Sequence, residues 1–171
     1  QKMKSGYEGF GEFDLSGNLD RYGNAKVQFQ SLALTPVNGS GQPRESLRTG
    51  DSLRIEVDVK ANEAIKNAIV AIIIYDSMGY RLIDVNTELA NRLLTMQSGN
   101  RSRIAFLLKN LFLKPGSYFV GLWVGQRNES DFDGIGNAAV FPVEQNMEMF
   151  NANVTYPGVY QCSFDSEIEV F

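Results

Sequence analysis

Ser117–Gly125 is the stretch of the sequence whose residue types are best suited to binding a ligand. It has the composition of a β-strand, in which side chains point alternately to the two faces of the sheet. One face carries only apolar residues and is the natural core side: Tyr118, Val120, Leu122 and Val124. The other face carries Phe119, Gly121 and Trp123. A glycine between two large aromatic residues predicts a shallow slot that suits the apolar face of a sugar.

Polar partners for that slot are expected on a neighbouring strand. The segment Arg81–Thr87 is predicted to pair back, as one arm of a hairpin, on the apolar run Ala68–Tyr75. Within it, Asp84 and Asn86 lie two residues apart, so they share a face and can offer a carboxylate and an amide to sugar hydroxyls. The predicted carbohydrate-binding residues are therefore Phe119, Trp123, Asp84 and Asn86. The alternative is that the aromatic face packs under a loop or against a partner subunit.

Groups that could catalyse a reaction are scarce. The chain has no histidine, which removes His-based triads, His metal ligands and the imidazole general base. Cys162 is the only cysteine, so no intramolecular disulfide or cysteine-cluster metal site can form, and a buried apolar role is expected for it. Paired carboxylates could still hydrolyse a glycoside, and the candidates are Asp84, Glu88, Asp131 and Asp133. A β-sandwich enzyme that processes glycans therefore stays open.

Cofactor motifs are absent or out of context. No G-x-x-x-x-G-K-[ST] occurs, so the sequence offers no phosphate cradle for ATP. Gly134–Ala139 matches G-x-G-x-x-A, but it leads into a strand-like segment with Pro142 rather than a helix, which favours a turn. The acidic loop Asn128–Gly134 has oxygen donors of the kind that hold Ca²⁺, without the terminal bidentate Glu of an EF-hand. No cofactor and no metal site is assigned, and metal binding by this loop is left open.

The segments that would position these residues have the pattern of short strands. Leu53, Ile55, Val57 and Val59 alternate with charged residues, which indicates a strand with one solvated face. Ala68–Tyr75 is almost entirely apolar and predicts a central strand that is covered on both faces. Further strands are predicted at Ala25–Thr35, Arg101–Leu108, Ala138–Val143, Val159–Phe164 and Glu167–Phe171. With almost no helical periodicity, the pattern predicts an all-β fold, an immunoglobulin-like or jelly-roll β-sandwich.

Length and composition fit one such domain. The chain has 171 residues, of which 43% are apolar, and this is enough to bury a core without metals or disulfides. A net charge of −4 argues against a nucleic-acid partner. The longest apolar run is too short to span a membrane. Because the chain starts at Gln1 and has no apolar signal-peptide region, we expect it to be a fragment of a larger protein. The Gly-rich, charged residues 1–24 are predicted to be a linker, and residues 25–171 the β-sandwich.

The order of several short motifs resembles that of a known family. These motifs are Arg21-Tyr22-Gly23-Asn24, Thr49-Gly50-Asp51-Ser52-Leu53, Tyr75-Asp76-Ser77-Met78-Gly79, Val85-Asn86-Thr87, Leu113-Lys114-Pro115-Gly116-Ser117-Tyr118 and Ala139-Val140-Phe141-Pro142-Val143. Each motif is a generic turn and strand, and their order and spacing over residues 21–165 carry the specificity. In this respect the chain is similar to the C-terminal domain of Wzt-type proteins, the ATP-binding subunits of ABC transporters that export lipid-linked O-antigen polysaccharide.

The resemblance implies a role in export rather than in catalysis. It implies non-catalytic recognition of the completed, chain-terminated O-antigen polysaccharide at the cytoplasmic, inner face of the bacterial inner membrane. The implied partners are that polysaccharide, a second copy of the chain and, through the parent protein, the membrane-spanning transporter subunit. Residues 1–24 would then lead from an absent nucleotide-binding domain, and the segment Gly158–Phe171 would be exchanged between the subunits of a homodimer. The alternatives are a glycan-processing enzyme and a purely structural dimerisation domain.

Overall fold

Alternating apolar and polar residues fold the chain into two β-sheets whose apolar faces pack against each other. The computed structural model describes residues 6–17, 20–149, 158–162 and 164–169. No helix occurs among these residues, and none of them therefore belongs to a helix able to cross a membrane. The predicted all-β sandwich is confirmed.

The strands are numbered in chain order. The larger sheet contains seven: β1 (Tyr7–Glu8), β4 (Leu47–Arg48), β6 (Ile65–Tyr75), β7 (Arg81–Asn86), β8 (Leu94–Met96), β10 (Gly116–Gln126) and β11 (Ser130–Glu144). The smaller sheet contains four: β2 (Gly11–Asp14), β3 (Val27–Val37), β5 (Ser52–Ala61) and β9 (Arg101–Leu108). The larger sheet runs in the order β1, β11, β10, β6, β7, with β4 paired to β11 and β8 paired to β6. The smaller sheet runs β2, β3, β5, β9.

The core lies between the sheets and is built by the predicted alternation. In β5, the four aliphatic side chains are fully buried: Leu53, Ile55, Val57 and Val59. Its charged residues face outward, where Arg103 on β9 donates two hydrogen bonds to Asp58, of 2.7 and 2.9 Å. In β10, Tyr118, Val120, Leu122 and Val124 enter the core as predicted. This arrangement leaves the outer face of β10 for other side chains.

Strand β6 is covered on both faces, as predicted. Val70, Ile72 and Ile74 are fully buried in the core between the sheets. Ile69, Ala71 and Ile73 alternate with them on the outer face, and these side chains are also at most 7% exposed. The outer face of the larger sheet is therefore covered by further residues, which form the site described below.

The predicted linker at residues 1–24 differs from the structure. Two of its segments form β1 and β2, which pair with different sheets, and Leu15 is fully buried. The ring of Tyr7 stacks on that of Phe13 at 5.0 Å between centroids. Gly9 and Gly11 have positive φ values of 86° and 118°, which lets the chain pass from one sheet to the other between these strands. The aromatic residues outweigh the linker-like glycine content because they pack against the core.

The predicted C-terminal strands are not found among the described residues of that segment. Residues 158–162 contain a single isolated bridge, between Tyr160 and Leu113, and residues 164–169 form no strand. Several apolar side chains of this segment are exposed, including Phe164 at 78% and Ile168 at 90%. Its described residues therefore have little of their apolar surface covered within one copy of the chain.

Candidate functional site

A cleft of about 380 Å³ lies on the outer face of the larger sheet, over β6, β7 and β10. Its floor is formed by Ile69, Ala71 and Ile73, which point outward because they alternate with the core residues of β6. Aromatic, charged and amide side chains surround this floor: Tyr22, Tyr75, Arg81, Asp84, Asn86, Trp123, Arg127 and Asn128. We call this the main cleft. An apolar floor with aromatic walls and a few polar groups is the usual composition of a small-molecule site.

The strand register explains which residues meet in the main cleft. Three rows of paired residues cross from β10 through β6 to β7: Trp123, Ala71 and Asn86; Gly121, Ile73 and Asp84; Phe119, Tyr75 and Arg81. The first two rows bring three of the predicted residues into one cleft, namely Trp123, Asp84 and Asn86. Their part in ligand binding stays a prediction.

Trp123 is held in place at the cleft wall by a hydrogen bond. Its side chain is half-buried, and the indole Nε1 donates to Asp131 Oδ1 at 2.8 Å. Because this bond uses the only polar atom of the indole, the ring is oriented while its surface remains available to a ligand. Asp131 therefore acts as a positioning residue for Trp123.

Phe119 lies on the outer face of β10, in the row of Tyr75 and Arg81. It lines a neighbouring cavity of about 350 Å³ instead of the main cleft. The predicted open slot between Phe119 and Trp123 is also not present. A Cβ atom on Gly121 would lie 2.9 Å from Cε2 of Tyr75, so the tyrosine ring already occupies the space above this glycine. Gly121 makes room for Tyr75 rather than for a sugar.

Tyr22 is a wall residue that the sequence pattern did not indicate. Its backbone exchanges hydrogen bonds with Gly134 on β11, with N···O distances of 3.0 and 2.9 Å. A Cβ atom on Gly134 would overlap the Tyr22 ring, so the ring lies directly on this glycine. Tyr22 remains 55% exposed and faces the cleft. Burial and the nearby Asp131 raise the pKa of the Tyr22 hydroxyl, which therefore stays protonated and able to donate a hydrogen bond at neutral pH.

Two arginines at the cleft are paired with carboxylates. Arg81 Nη1 lies 3.0 Å from Asp84 Oδ2, and its guanidinium carbon lies 5.9 Å from the centroid of the Tyr75 ring. Arg127 Nε donates to Glu88 Oε2 at 3.0 Å. A hydrogen bond with Tyr75 and the charge of Asp84 raise the pKa of Arg81, so its guanidinium stays charged. These pairs fix the donors and acceptors before any ligand arrives.

The acidic loop does not gather its carboxylates into one site. Asp131 receives the Trp123 hydrogen bond, whereas Asp133 is 1% exposed and accepts a hydrogen bond from the Phe29 amide at 2.9 Å. Arg21 Nε lies 3.4 Å from the other oxygen of Asp133. Burial raises the pKa of Asp133, opposed by these two partners. Within the described part of the chain, no group of three or more His, Cys, Asp or Glu residues could hold a metal ion.

Comparison with known proteins places this chain in a family. The model of the Wzt C-terminal domain matches residues 18–155, which is well over half of the chain. The chain belongs to the Wzt C-terminal domain family. Every residue that lines the main cleft falls within the matched range. The predicted resemblance is confirmed.

A solved structure of a Wzt C-terminal domain supports the same fold. The crystal structure of a Wzt C-terminal domain superposes with a TM-score of 0.68 at 17% identity, covering 86% of this Wzt family domain and 88% of that chain. A β-glucosidase from Listeria innocua has a TM-score of 0.39 at 18% identity, over 71% of this chain and 17% of the enzyme. A CARDB domain from Pyrococcus furiosus has a TM-score of 0.43 at 13% identity, over 78% of this chain and 98% of that domain. A search of curated proteins finds no match.

Proposed function

We propose that this Wzt family domain binds O-antigen polysaccharide in the main cleft without breaking a bond, as part of an ABC transporter that exports it. The observation that carries the proposal is an apolar floor enclosed by the rings of Tyr22, Tyr75 and Trp123 beside fixed polar groups. Family membership supports the export context.

The cleft has the two kinds of surface that a sugar needs. A pyranose has an apolar face of C–H groups, which packs on aromatic rings, and hydroxyls at its edge, which exchange hydrogen bonds with side chains. Each ring contact contributes about 1 kcal/mol beyond the burial of area, and each neutral hydrogen bond a net 0.5–1.5 kcal/mol. With three rings and a few polar groups, we expect dissociation constants on the order of mM to μM.

The state of the carboxylates supports binding over hydrolysis. Asp84 is paired with Arg81, Glu88 with Arg127, and Asp131 accepts the Trp123 hydrogen bond. A glycosidase needs one carboxyl with a raised pKa beside the scissile bond to act as the acid. Asp133 is the aspartate with a raised pKa in the described part of the chain, and it is buried against Phe29 outside the lining of the main cleft.

The proposed ligand is the completed polysaccharide, bound at the cytoplasmic face of the inner membrane. Through the parent protein, the domain would hand the glycan to the membrane-spanning subunit. We expect no binding of ATP and none of nucleic acid, because the sequence contains no phosphate cradle and the net charge is −4.

The proposed assembly is a homodimer in which Gly158–Phe171 crosses to the partner. Phe164 and Ile168 are 78% and 90% exposed, so this segment leaves apolar side chains in water within one copy of the chain. Burial of those side chains against a second copy would remove the cost of their exposure. A purely structural dimerisation domain stays the alternative, and it differs from the proposal in binding no glycan.

Replacement of Trp123 by alanine tests the proposed cleft. Wild type and Trp123→Ala are titrated by calorimetry against a panel of O-polysaccharides with different chain ends, and we expect the variant to bind about tenfold more weakly or worse. Leu107→Ala is the matched control, because Leu107 is 44% exposed on β9 of the smaller sheet. If Trp123→Ala binds the polysaccharide as tightly as wild type does, the main cleft is excluded as the binding site. Release of reducing sugar during the titration would instead favour the enzyme.

A further inference from the structure

A second cavity adjoins the main cleft and has no assigned role. It is a shallow surface depression of about 350 Å³, lined by Phe119 together with the turn after β6 and part of β11. Tyr75 and Gly136 line both this cavity and the main cleft. We call it the side cavity. The two cavities are therefore neighbours on one surface, with the Tyr75 ring beside Gly121 as their shared wall.

The side cavity has an aromatic ring and a hydroxyl of its own, which do not line the main cleft. A Cβ atom on Gly136 would meet nothing within 4 Å, so the surface that both cavities share is open at this exposed glycine. Phe119 is half-buried and contributes a ring, and the exposed Ser77 contributes a hydroxyl. The turn itself is fixed, because Asp76 Oδ1 accepts hydrogen bonds from the amides of Met78 and Tyr80, both at 2.9 Å.

The two cavities differ in charge. The main cleft is lined by two arginines, Arg81 and Arg127, and by one carboxylate, Asp84. Among the residues lining the side cavity, Asp76 is the only charged one, and it is a carboxylate. An anionic group in the side cavity would meet a like charge without a compensating cation. The side cavity therefore suits an uncharged ligand that packs on a ring and hydrogen-bonds to a hydroxyl.

We propose that the side cavity binds a second, uncharged sugar residue of the same polysaccharide, next to the one in the main cleft. This inference rests on the proposed function, since it takes the main cleft as the first subsite. Trp123 serves the first subsite, Phe119 the second, and Tyr75 lies between the two sugars. The site then reads a pair of linked residues rather than one monosaccharide. Linkage of the two sugars adds the second contact without a second loss of translational freedom.

The test compares fragments of increasing length. Monosaccharide, disaccharide and trisaccharide fragments are prepared from the chain end of whichever polysaccharide of the panel binds, and affinities are measured by NMR titration. For wild type, we expect the disaccharide to bind about tenfold more tightly than the monosaccharide. Phe119→Ala should lose that gain and keep the monosaccharide affinity, whereas Trp123→Ala should weaken both ligands. Leu107→Ala should behave as wild type.

A conservative variant guards against loss of the fold. Phe119→Leu keeps an apolar side chain and removes the ring, so it should also lose most of the disaccharide gain while thermal unfolding stays close to that of wild type. Equal binding of monosaccharide and disaccharide by wild type would overturn the second subsite and leave the main cleft intact. A disaccharide gain that persists in both Phe119 variants would overturn it as well. A disaccharide whose second residue is a uronic acid should bind no more tightly than the monosaccharide. If its affinity gain equals that of the neutral disaccharide, the charge argument is refuted.

Discussion

Two glycines decide where the two tyrosine rings of the main cleft lie. The Tyr22 ring rests on Gly134, and the Tyr75 ring rests on Gly121. At either position a methyl group would occupy space that a tyrosine ring now fills. These glycines therefore act on the ligand site without touching a ligand. Each tyrosine ring can lie where it does because the strand residue next to it is a glycine.

Gly134→Ala is expected to weaken glycan binding by displacing Tyr22. Because Tyr22 is 55% exposed, its ring can swing away without unfolding the domain. We expect a loss of about three- to tenfold in affinity, of the size that one aromatic contact supplies. The measurement is a calorimetric double-mutant cycle with Tyr22→Ala. In the double variant the glycine substitution should add nothing further, and an additive loss would show that Gly134 acts by another route.

Asp58 is expected to contribute to stability only above the acid range. Hydrogen bonds from Arg103 lower the pKa of Asp58 below its ordinary value of 3.8. A carboxyl whose pKa is lower in the folded state stabilises the protein above its unfolded pKa, and this contribution is lost as the pH falls through the folded value. Asp58→Asn should therefore cost about 0.2–1 kcal/mol at pH 7, and this cost should shrink as the pH is lowered below 3.8. Urea unfolding at a series of pH values measures this, and a cost that does not change with pH would contradict the assignment.

At the scale of strands, the sequence predicts which face of the sheet a side chain points to, because this follows from alternation along one strand. It does not predict which distant segments pair. The two faces of β5 and β10 follow from a period of two, so the outward direction of Trp123 was predictable. Tyr22 was not, because its place depends on pairing with Gly134, which lies far along the chain. Phe119 points the predicted way, but its register opposite Tyr75 puts it in a different cavity. For Tyr75, alternation from Ile73 would have indicated the outer face.

The N-terminal segment, which forms β1 and β2, is a second case in which contacts with distant residues could not be predicted from the sequence. Its glycine content indicated a linker, yet Tyr7, Phe10 and Phe13 pack against the core and Leu15 is fully buried. A few apolar contacts decide the outcome because each buried ring or leucine contributes a few kcal/mol. Local composition does not record which core surface those side chains will meet.

Leu15→Ala is expected to destabilise the domain by about 2–5 kcal/mol, the usual cost of removing a fully buried leucine. Denaturant unfolding monitored by circular dichroism provides the measurement. Glu12→Ala is the control, because Glu12 is exposed on β2 and should change the unfolding free energy by less than about 0.5 kcal/mol. A near-zero effect of Leu15→Ala would restore the linker interpretation for this segment.

Across the whole molecule, the two outer faces have different chemistry. The outer face of the smaller sheet carries paired charges, such as Arg54 with Glu56 and Arg103 with Asp58. The outer face of the larger sheet carries the main cleft and the side cavity, with an apolar floor under aromatic walls. Paired charges also lie beside the main cleft, so the apolar floor and the aromatic walls are what distinguish the proposed ligand surface from the outer face of the smaller sheet. A second copy that is joined through the C-terminal segment has to leave the larger sheet accessible.

A chain that ends before Gly158 is expected to be monomeric, with a mass below the 19.0 kDa of one full chain, while the full chain forms a dimer of about twice 19.0 kDa. Sedimentation velocity distinguishes the two states. Glycan affinity per chain should be unchanged by the truncation, since no residue lining the main cleft lies beyond Gly136. A truncated chain that still sediments as a dimer would place the interface elsewhere.

The hydrogen bond to Asp131 holds Trp123 in the wall of the main cleft, where its fluorescence can report on a bound ligand. Trp123 is the only tryptophan in the chain, so emission excited at long wavelength comes from the wall of the main cleft alone. A half-exposed indole emits at an intermediate wavelength, and a sugar that displaces water from its surface shifts the emission to the blue and shields it from iodide quenching. Stopped-flow fluorescence could then time how long a glycan stays bound, on unlabelled protein. Under the proposed function, a comparison of that residence time with the duration of the transport cycle tests whether the glycan remains bound long enough to be handed on.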